Sequence, residues 1–146
     1  MATNPKTWGY VLLGPGRPSL AKQREVLAAF DVSADEFGAW FSDKIERGKP
    51  GPGSGQGQLA GRNDLLMAVL PGDRVVAATP YCLGVSSDDA AWFIGALARA
   101  KVRLTVNGDL HDIEPGADAS ALVAEVRRAQ SRSNTAQHRA GKTKRS

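Results

Sequence analysis

Short apolar runs rich in β-branched residues alternate along this chain with stretches in which apolar residues recur at helical spacing. The candidate strands are residues 8–13, 38–45, 74–80 and 101–108. The candidate helices between and after them are residues 20–30, 63–70, 89–100 and 119–139. Strands that alternate with helices pack as a mainly parallel sheet joined by right-handed crossovers, with helices on both faces. We therefore predict an α/β fold of three layers, with a central sheet of about four or five strands.

Serine marks the start of two of these helices. Ser19 precedes the helical pattern of residues 20–30, and Ser86, Ser87 and Asp88 precede the third candidate helix. A side-chain oxygen at such a position accepts a hydrogen bond from a backbone N–H of the first turn, which has no partner within the helix. We expect both helices to begin with a side-chain cap of this kind.

The chain divides into a domain, residues 1–116, and a C-terminal helix with a basic tail, residues 117–146. Within the domain, residues 48–61 are dominated by glycine and proline. This composition favours a long flexible loop over packed regular structure. We expect the helix that follows the loop to begin near Asn63.

The formal charge of +4 conceals a division between these two parts. Residues 127–146 hold seven Lys or Arg and no acidic residue, which leaves 12 basic and 15 acidic residues in the remainder, a formal charge of −3. A mildly acidic body with a strongly basic terminus is compatible with two interpretations, contact with nucleic-acid phosphates and a solvated terminus.

The first candidate strand runs into the sequence GPGRPS, residues 14–19. In a parallel sheet this loop lies at the carboxyl end of the strands, where ligands bind and a helix N-terminus attracts anions. The sequence matches neither G-x-G-x-x-G nor G-x-x-x-x-G-K-[ST], and Pro15 and Pro18 remove backbone donors. A rigid turn is the simpler interpretation, with a phosphate or small-molecule site as the alternative.

Few residues offer catalytic or metal-binding chemistry. Cys82 is the only cysteine, which excludes an internal disulfide and a cysteine zinc site within one chain. His111 and His138 lack the spacing of metal ligands, and Ser54 lies in the glycine-rich loop. We predict no metal and no cofactor.

Membrane and export signals are also missing from the sequence. No run of about 18 apolar residues occurs, and the start MATNPKTWGY lacks the charged-then-apolar order of a signal peptide. We expect a soluble, cytoplasmic protein with no membrane partner.

Several stretches, in order and spacing, resemble the catalytic domain of the serine recombinases, the resolvase and invertase family. GYVLLG (9–14) and SLAKQREVL (19–27) resemble the family's G-Y-x-R-V-S strand and S-L-x-x-Q-R-x-x-L helix. PGDRVVAATPYCLGVSS (71–87) resembles its E-G-D-x-L-V-V-x-R-L-D-R-L-G-R-S segment, and AKVRLTVNGDLHDI (100–113) resembles the strand region that follows. The resemblance covers about residues 8–113 and implies a resolvase-like fold.

The catalytic residues of that family are missing from the matched positions. Its nucleophilic serine falls at Gly14, and the arginine before it falls at Leu12. The charged positions of R-L-D-R-L-G-R-S fall at Thr79, Tyr81, Cys82 and Val85. Gln23 and Lys44 match the family, whereas Arg62 matches a further arginine only if the second helix is a turn shorter. Phosphoryl transfer depends on such charges, so we expect no recombinase catalysis.

The same resemblance implies that the segment after the last strand mediates dimerisation and contacts DNA. The candidate phosphate contacts are Arg127, Arg128, Arg132, Arg139, Lys142, Lys144 and Arg145. Such contacts give a salt-sensitive affinity that is mostly independent of base sequence. The candidate interface residues, toward a second copy or another protein, are Trp92, Leu122, Val123 and Val126. The last three lie at helical spacing, so packing on the domain itself is the alternative for them. A solvated basic terminus is the alternative to DNA contact.

Three functional hypotheses follow. The first is a catalytically inactive serine-recombinase-like protein that acts by binding DNA or protein partners, and a phage or mobile-element setting fits this ancestry. The second is a structural, assembly or adaptor protein, a homo-oligomer or a protein-binding module in which DNA has no part. The third is a small-molecule or phosphate-binding enzyme that uses the loop after the first strand.

Overall fold

The computed structural model describes residues 6–14, 16–30, 40–45, 59–106 and 111–145, and the side chains of the last helix as far as Arg132. The strands are β1 (Thr7–Leu13), β2 (Trp40–Lys44), β3 (Arg74–Ala77), β4 (Arg103–Val106) and β5 (His111–Ile113). The α-helices are α1 (Leu20–Ala29), α2 (Ala60–Ala68), α3 (Ser87–Arg99) and α4 (Ser120–Arg145). A 3-10 helix, Pro80–Leu83, lies between β3 and α3.

The strands form one sheet in the order β2-β1-β3-β4-β5. The first four strands are parallel, and β5 is antiparallel to β4. Trp8 pairs with Val75, which in turn pairs with Leu104, so the apolar positions of neighbouring strands are in register. The prediction of an α/β fold with a mainly parallel sheet is confirmed, and β5 completes it as a fifth strand.

Helices cover both faces of the sheet. Tyr10 and Val75 point to one face, where they join the main core with α2, α3 and α4. Val11 and Val76 point to the other face and pack against Leu27 of α1. Alternate residues of a strand face opposite sides, which is why continuous apolar runs suit a sheet that is buried on both faces. The predicted three layers are therefore present.

Two helices begin at the predicted serine caps. The hydroxyl oxygen of Ser19 accepts a hydrogen bond from the backbone N–H of Lys22 at 3.3 Å. The hydroxyl oxygen of Ser86 accepts one from the backbone N–H of Asp89 at 3.2 Å. Both caps satisfy a first-turn donor that the helix itself leaves unpaired.

α2 begins earlier than the sequence predicts, at Ala60 instead of near Asn63. The carboxylate of Asp43, at the end of β2, accepts hydrogen bonds at 2.8 Å from the backbone N–H groups of Gly61 and Arg62. A side chain at position 61 would overlap the carbonyl oxygen of Ser42, so glycine permits this close approach. The end of the predicted loop is therefore helical, while residues 46–58 lie outside the described residues.

α4 packs its first turns onto the domain. Leu122 and Val126 are 1% and 0% exposed and belong to the main core. Of the two packing partners that the sequence leaves open for these residues, the domain or a second chain, the structure shows the domain, because the chain's own α3 and 3-10 helix cover the apolar face of α4. Among the described helices, none has the length and apolar content needed to cross a membrane.

Candidate functional site

The strand order creates a crevice between β1 and β3 at the carboxyl edge of the sheet. α1, which follows β1, packs on the face that carries Val11. α3, which follows β3, packs on the opposite face, where Phe93 lies 5.8 Å from the ring centre of Tyr10. Neighbouring strands whose connections leave toward opposite faces form a switch point, the place where open α/β sheets bind ligands.

A cleft of about 640 Å³ occupies this position. Three segments line it: the loop after β1, the 3-10 helix after β3, and α4, which packs against the 3-10 helix. The lining residues are Gly16, Arg17, Pro18, Thr79, Pro80, Tyr81, Glu125, Arg128, Ala129 and Arg132. We call this feature the carboxyl-edge cleft. Its volume lies within the range of about 300–1,000 Å³ found for small-molecule sites.

Arg17 fixes the loop of the cleft to the 3-10 helix. Its guanidinium carbon lies 3.5 Å from the ring centre of Tyr81. Its Nε donates to the carbonyl oxygen of Tyr81 at 2.9 Å, and Nη2 donates to that of Gly84 at 2.6 Å. Burial lowers the pKa of Arg17 from its ordinary value, but a guanidinium stays charged in proteins. The GPGRPS segment is therefore held by its arginine, while Pro15 lies outside the described residues.

Gln23 closes the other side of the same loop. Its buried side-chain amide accepts a hydrogen bond from the backbone N–H of Leu12 at 3.1 Å. It donates to the carbonyl oxygens of Leu12 and Pro18, both at 2.9 Å. The side chain thus replaces sheet hydrogen bonds at the end of β1, and its place in the fold is structural. Sequence reasoning singled out Gln23 only as a match to the recombinase pattern.

Gly14 stands where the recombinase pattern places its nucleophile. Its φ of +156° lies in a region that side-chain-bearing residues rarely adopt. A Cβ at this position would also lie 3.0 Å from the Cβ of Ile45. Leu12, at the matched arginine position, is completely buried in the main core. Both positions are therefore adapted to an apolar or glycine residue.

Of the four positions where the recombinase pattern has charges, Thr79 and Tyr81 line the cleft, while Cys82 and Val85 do not. Tyr81 and Cys82 are buried, and Thr79 and Val85 are half-buried. The Cys82 sulfur lies 3.2 Å from the hydroxyl of Thr79, and burial raises the pKa of the Cys82 thiol. A buried thiol with a raised pKa holds its proton and is a poor nucleophile.

α4 supplies the charges on the open side of the cleft. Arg128 is exposed by 64% of its side-chain surface and lies 3.9 Å from Glu125. The other carboxylate oxygen of Glu125 lies 2.9 Å from Nε2 of His111 at the start of β5. Arg132, one turn beyond Arg128, is exposed. The structure thus brings two predicted DNA-contact residues to the cleft, and the pairing of His111 with Glu125 has no counterpart in the sequence motifs.

The remaining predicted contacts are distributed along α4. Arg127 is exposed but does not line the cleft. The helix backbone continues to Arg145. The side chains of the other four predicted contacts lie outside the described residues: Arg139, Lys142, Lys144 and Arg145.

Trp92 and Val123 are half-buried and pack against the main core. The indole of Trp92 also lies 5.2 Å from the guanidinium of Arg62. These contacts within the chain cover part of the surface of both side chains. Their role in an interface stays a prediction.

Arg62, which fits the recombinase pattern only if the second helix is a turn shorter, lies within α2 (Ala60–Ala68) as a buried charge. It is completely shielded from solvent and forms an ion pair with Asp89 of α3, with 2.6 Å between Nη2 and Oδ1. Gly84 lies so close to Asp89 that a side chain there would overlap the carboxylate oxygen. Arg62 therefore links α2 to α3 within the fold. No spacing rule connects an arginine and an aspartate 27 residues apart.

The described residues contain no group of His, Cys, Asp and Glu side chains that is placed to hold a metal ion. No protein-family model matches this chain, and no curated protein matches it. The resemblance to serine recombinases rests on the motifs quoted above and stays a prediction.

Proposed function

We propose that this protein binds the phosphate backbone of duplex DNA through the basic face of α4 and does not cleave it. The observation that carries the proposal is a single continuous helix, Ser120–Arg145, that is anchored to the domain at one end and basic along the rest. Its segment from residue 127 onward holds seven cations and no acid. Clustered cations on one element are the electrostatic mark of nucleic-acid binding.

The anchoring keeps the helix in a defined place relative to the domain. Leu122 and Val126 are buried in the core, and the side chain of Gln130 accepts a hydrogen bond from the backbone N–H of Ser87 at 2.9 Å. A helix of this length spans about 39 Å, at about 1.5 Å per residue. The first turns of α4 are therefore fixed on the domain, and the basic positions follow along the same helix backbone.

Four of the basic positions fall on one side of α4. At about 100° per residue, positions 128, 132, 139 and 142 lie within about 80° of one another around the helix axis. They extend over about 21 Å along that axis, at about 1.5 Å per residue. This spacing suits contact with several phosphates of one duplex, while the charge of −3 in the rest of the chain favours approach from the α4 side.

The absence of cleavage follows from the residues at the matched catalytic positions. Gly14 has no side-chain nucleophile, and the nearby Ser19 hydroxyl is used as the N-cap of α1. The buried Cys82 thiol holds its proton, because burial raises its pKa. A stoichiometric DNA-binding role in a recombination or phage setting, without strand transfer, is the most specific form of the proposal.

Fluorescence anisotropy with a labelled duplex of about 25 base pairs, over about 50–200 mM salt, tests the proposal. We expect salt-dependent binding, and we expect Arg128→Ala with Arg132→Ala to lower the slope of log K against log salt by about 2. Arg24→Ala with Arg99→Ala, which removes two exposed arginines from α1 and α3, is the matched control. No binding at low salt, or equal slopes for the two double variants, would refute the proposal.

A protein partner is the second candidate function, because the end of α2 exposes apolar side chains. Met67 is 87% exposed and Leu70 is 58% exposed. Large contiguous exposed apolar patches mark surfaces that bind another protein, and these two side chains are the candidates for such a patch. Sedimentation analysis of the wild type and of Met67→Gln with Leu70→Gln tests self-association. A monomer in both cases, over the full accessible concentration range, would exclude a homo-oligomer built on this surface.

A further inference from the structure

The carboxyl-edge cleft has the position and wall structure of a small-molecule site. It lies at the switch point between β1 and β3, where open α/β sheets with this strand order bind their ligands. One wall is rigid, because Arg17 joins the loop to the 3-10 helix through two carbonyl oxygens and the ring of Tyr81. A preformed wall lowers the entropy cost of binding a ligand.

The opposite wall carries positive charge toward solvent. Arg128 and Arg132 are one helical turn apart, so their side chains emerge about 5–6 Å from each other on the same side of α4. The cleft also contains the carboxylate of Glu125, whose Oε2 is hydrogen-bonded to Nε2 of His111 at 2.9 Å. Arg128 forms an ion pair with Glu125 at 3.9 Å and still exposes 64% of its side-chain surface. Arg132 is exposed as well. Both guanidinium groups are therefore accessible to an anion in the cleft.

A second depression, at the opposite edge of the sheet, contains an arginine that is paired more closely with carboxylates. It is lined by Gly72, Lys101, Arg103 and Glu114, among others. Arg103 is paired with Asp112 at 2.9 Å and with Glu114 at 3.2 Å. Its guanidinium is thus compensated by two carboxylates. The comparison favours the carboxyl-edge cleft as the anion site.

We propose that the carboxyl-edge cleft binds a small phosphate monoester, with its phosphate held between Arg128 and Arg132 and its organic part against Gly16, Pro18 and Tyr81. Guanidinium groups form paired, charge-assisted hydrogen bonds with phosphate oxygens. A volume of about 640 Å³ accommodates a ligand of mononucleotide size. The site shares Arg128 and Arg132 with the proposed DNA-binding surface, but its binding of a small ligand does not require that the chain bind DNA.

Isothermal titration calorimetry with the full chain, at a pH of about 7.5 where a phosphate monoester is mostly dianionic, tests this site. The probes are inorganic phosphate, adenosine 5′-monophosphate and adenosine. We expect saturable binding of the monophosphate, weaker binding of phosphate, and none of adenosine. Arg128→Ala with Arg132→Ala should weaken monophosphate binding by at least about tenfold, whereas Arg24→Ala with Arg99→Ala should leave it unchanged.

Phosphate alone binding as tightly as the monophosphate would overturn the assignment of an organic subsite. No saturable binding of either at about 10 mM, or equal loss in both double variants, would overturn the site.

The DNA proposal is separated from this one by a competition measurement. The monophosphate should displace duplex DNA from the wild type, since both use Arg128 and Arg132. Monophosphate binding by a chain that binds no DNA would leave the cleft site standing and the DNA proposal refuted.

Discussion

The guanidinium of Arg62 and the carboxylate of Asp89 form an ion pair from which solvent is completely excluded, with 2.6 Å between Nη2 and Oδ1. Nη1 of Arg62 also donates to Oδ2 at 2.8 Å and to the carbonyl oxygen of Leu83 at 2.9 Å. The pair thereby joins α2, the 3-10 helix and α3. Removing two charges from water costs free energy that their mutual attraction offsets, so each member depends on the other.

Loss of one member of this pair should destabilise the protein strongly. We expect Arg62→Met to lower the free energy of unfolding by about 3–5 kcal/mol, because the carboxylate of Asp89 would remain buried without its partner. Adding Asp89→Asn should recover part of the loss, because the unpaired charge is then removed. Urea unfolding followed by circular dichroism measures both effects.

The matched control is Arg103→Met, because Arg103 forms ion pairs with side chains that are 39–71% exposed. Ion pairs with this much exposure to solvent contribute about 0–1 kcal/mol to the free energy of unfolding. A loss for Arg62→Met no larger than that of Arg103→Met would show that the buried pair does not hold the three helical segments together.

A serine at position 14, where the recombinase pattern has its nucleophile, should not give this chain DNA-cleaving activity. We expect Gly14→Ser to lower the free energy of unfolding by about 1–3 kcal/mol, because a φ of +156° strains any residue with a Cβ. Incubation with duplex DNA and denaturing electrophoresis should show no covalent protein–DNA adduct. Gly14→Ala is the matched control and should lower the free energy of unfolding by as much as Gly14→Ser. A trapped adduct, or unchanged stability of Gly14→Ser, would contradict this account of the loop.

The parts of the fold that the sequence predicted are those encoded locally. The four apolar runs became strands, and Ser19 and Ser86 became caps, because each depends on residues within one or two turns of the chain. β5 was not located because three residues are too few to show a period. The start of α2 was misplaced because its cap comes from Asp43, a residue that precedes Gly61 by 18 positions.

The candidate site was predictable only in outline. The position of the loop after β1 followed from the parallel topology, and Arg128 and Arg132 followed from the charge of the tail. Periodicity showed that one face of α4 is apolar, but it does not tell whether the covering surface belongs to the same chain. The sequence therefore leaves two surfaces open for Leu122, the domain or a second chain, and the structure places Leu122 in the core. The roles of Arg17 and Gln23 depend on carbonyl oxygens, which no side-chain pattern encodes.

Asp73 should make stability depend on acid pH. Burial alone raises the pKa of Asp73, but hydrogen bonds from the backbone N–H groups of Lys6 and Leu70 and from the indole N–H of Trp8 outweigh it. The pKa of Asp73 in the folded protein therefore lies below its ordinary value of 3.8. Its contribution is fully present above that ordinary value and is lost as the pH falls through the folded-state pKa.

We expect Asp73→Asn to lower the free energy of unfolding at pH 7 by about 1.5–3 kcal/mol, the range for hydrogen bonds to a charged group. The difference from the wild type should shrink as the pH falls below about 4, where the wild-type carboxylate begins to lose its advantage. Urea unfolding at several pH values from 7 down to 3 measures this. Asp64→Asn, on the exposed side of α2, is the control. A wild-type advantage that stays constant from pH 7 to pH 3 would exclude this role.

Removing the Arg17 side chain should loosen the rigid wall of the carboxyl-edge cleft. In Arg17→Ala the carbonyl oxygens of Tyr81 and Gly84 lose a charged donor, and Tyr81 loses its stacked guanidinium. We expect a loss of about 1–3 kcal/mol in the free energy of unfolding and faster amide hydrogen exchange in residues 79–84.

Arg17→Lys should not rescue either property, since an ammonium lacks the planar fork that spans both carbonyls and stacks on the ring. Arg24→Ala, an exposed arginine of the adjoining helix, should change neither. Full rescue by lysine would mean that positive charge alone, without the guanidinium geometry, holds the loop to the 3-10 helix.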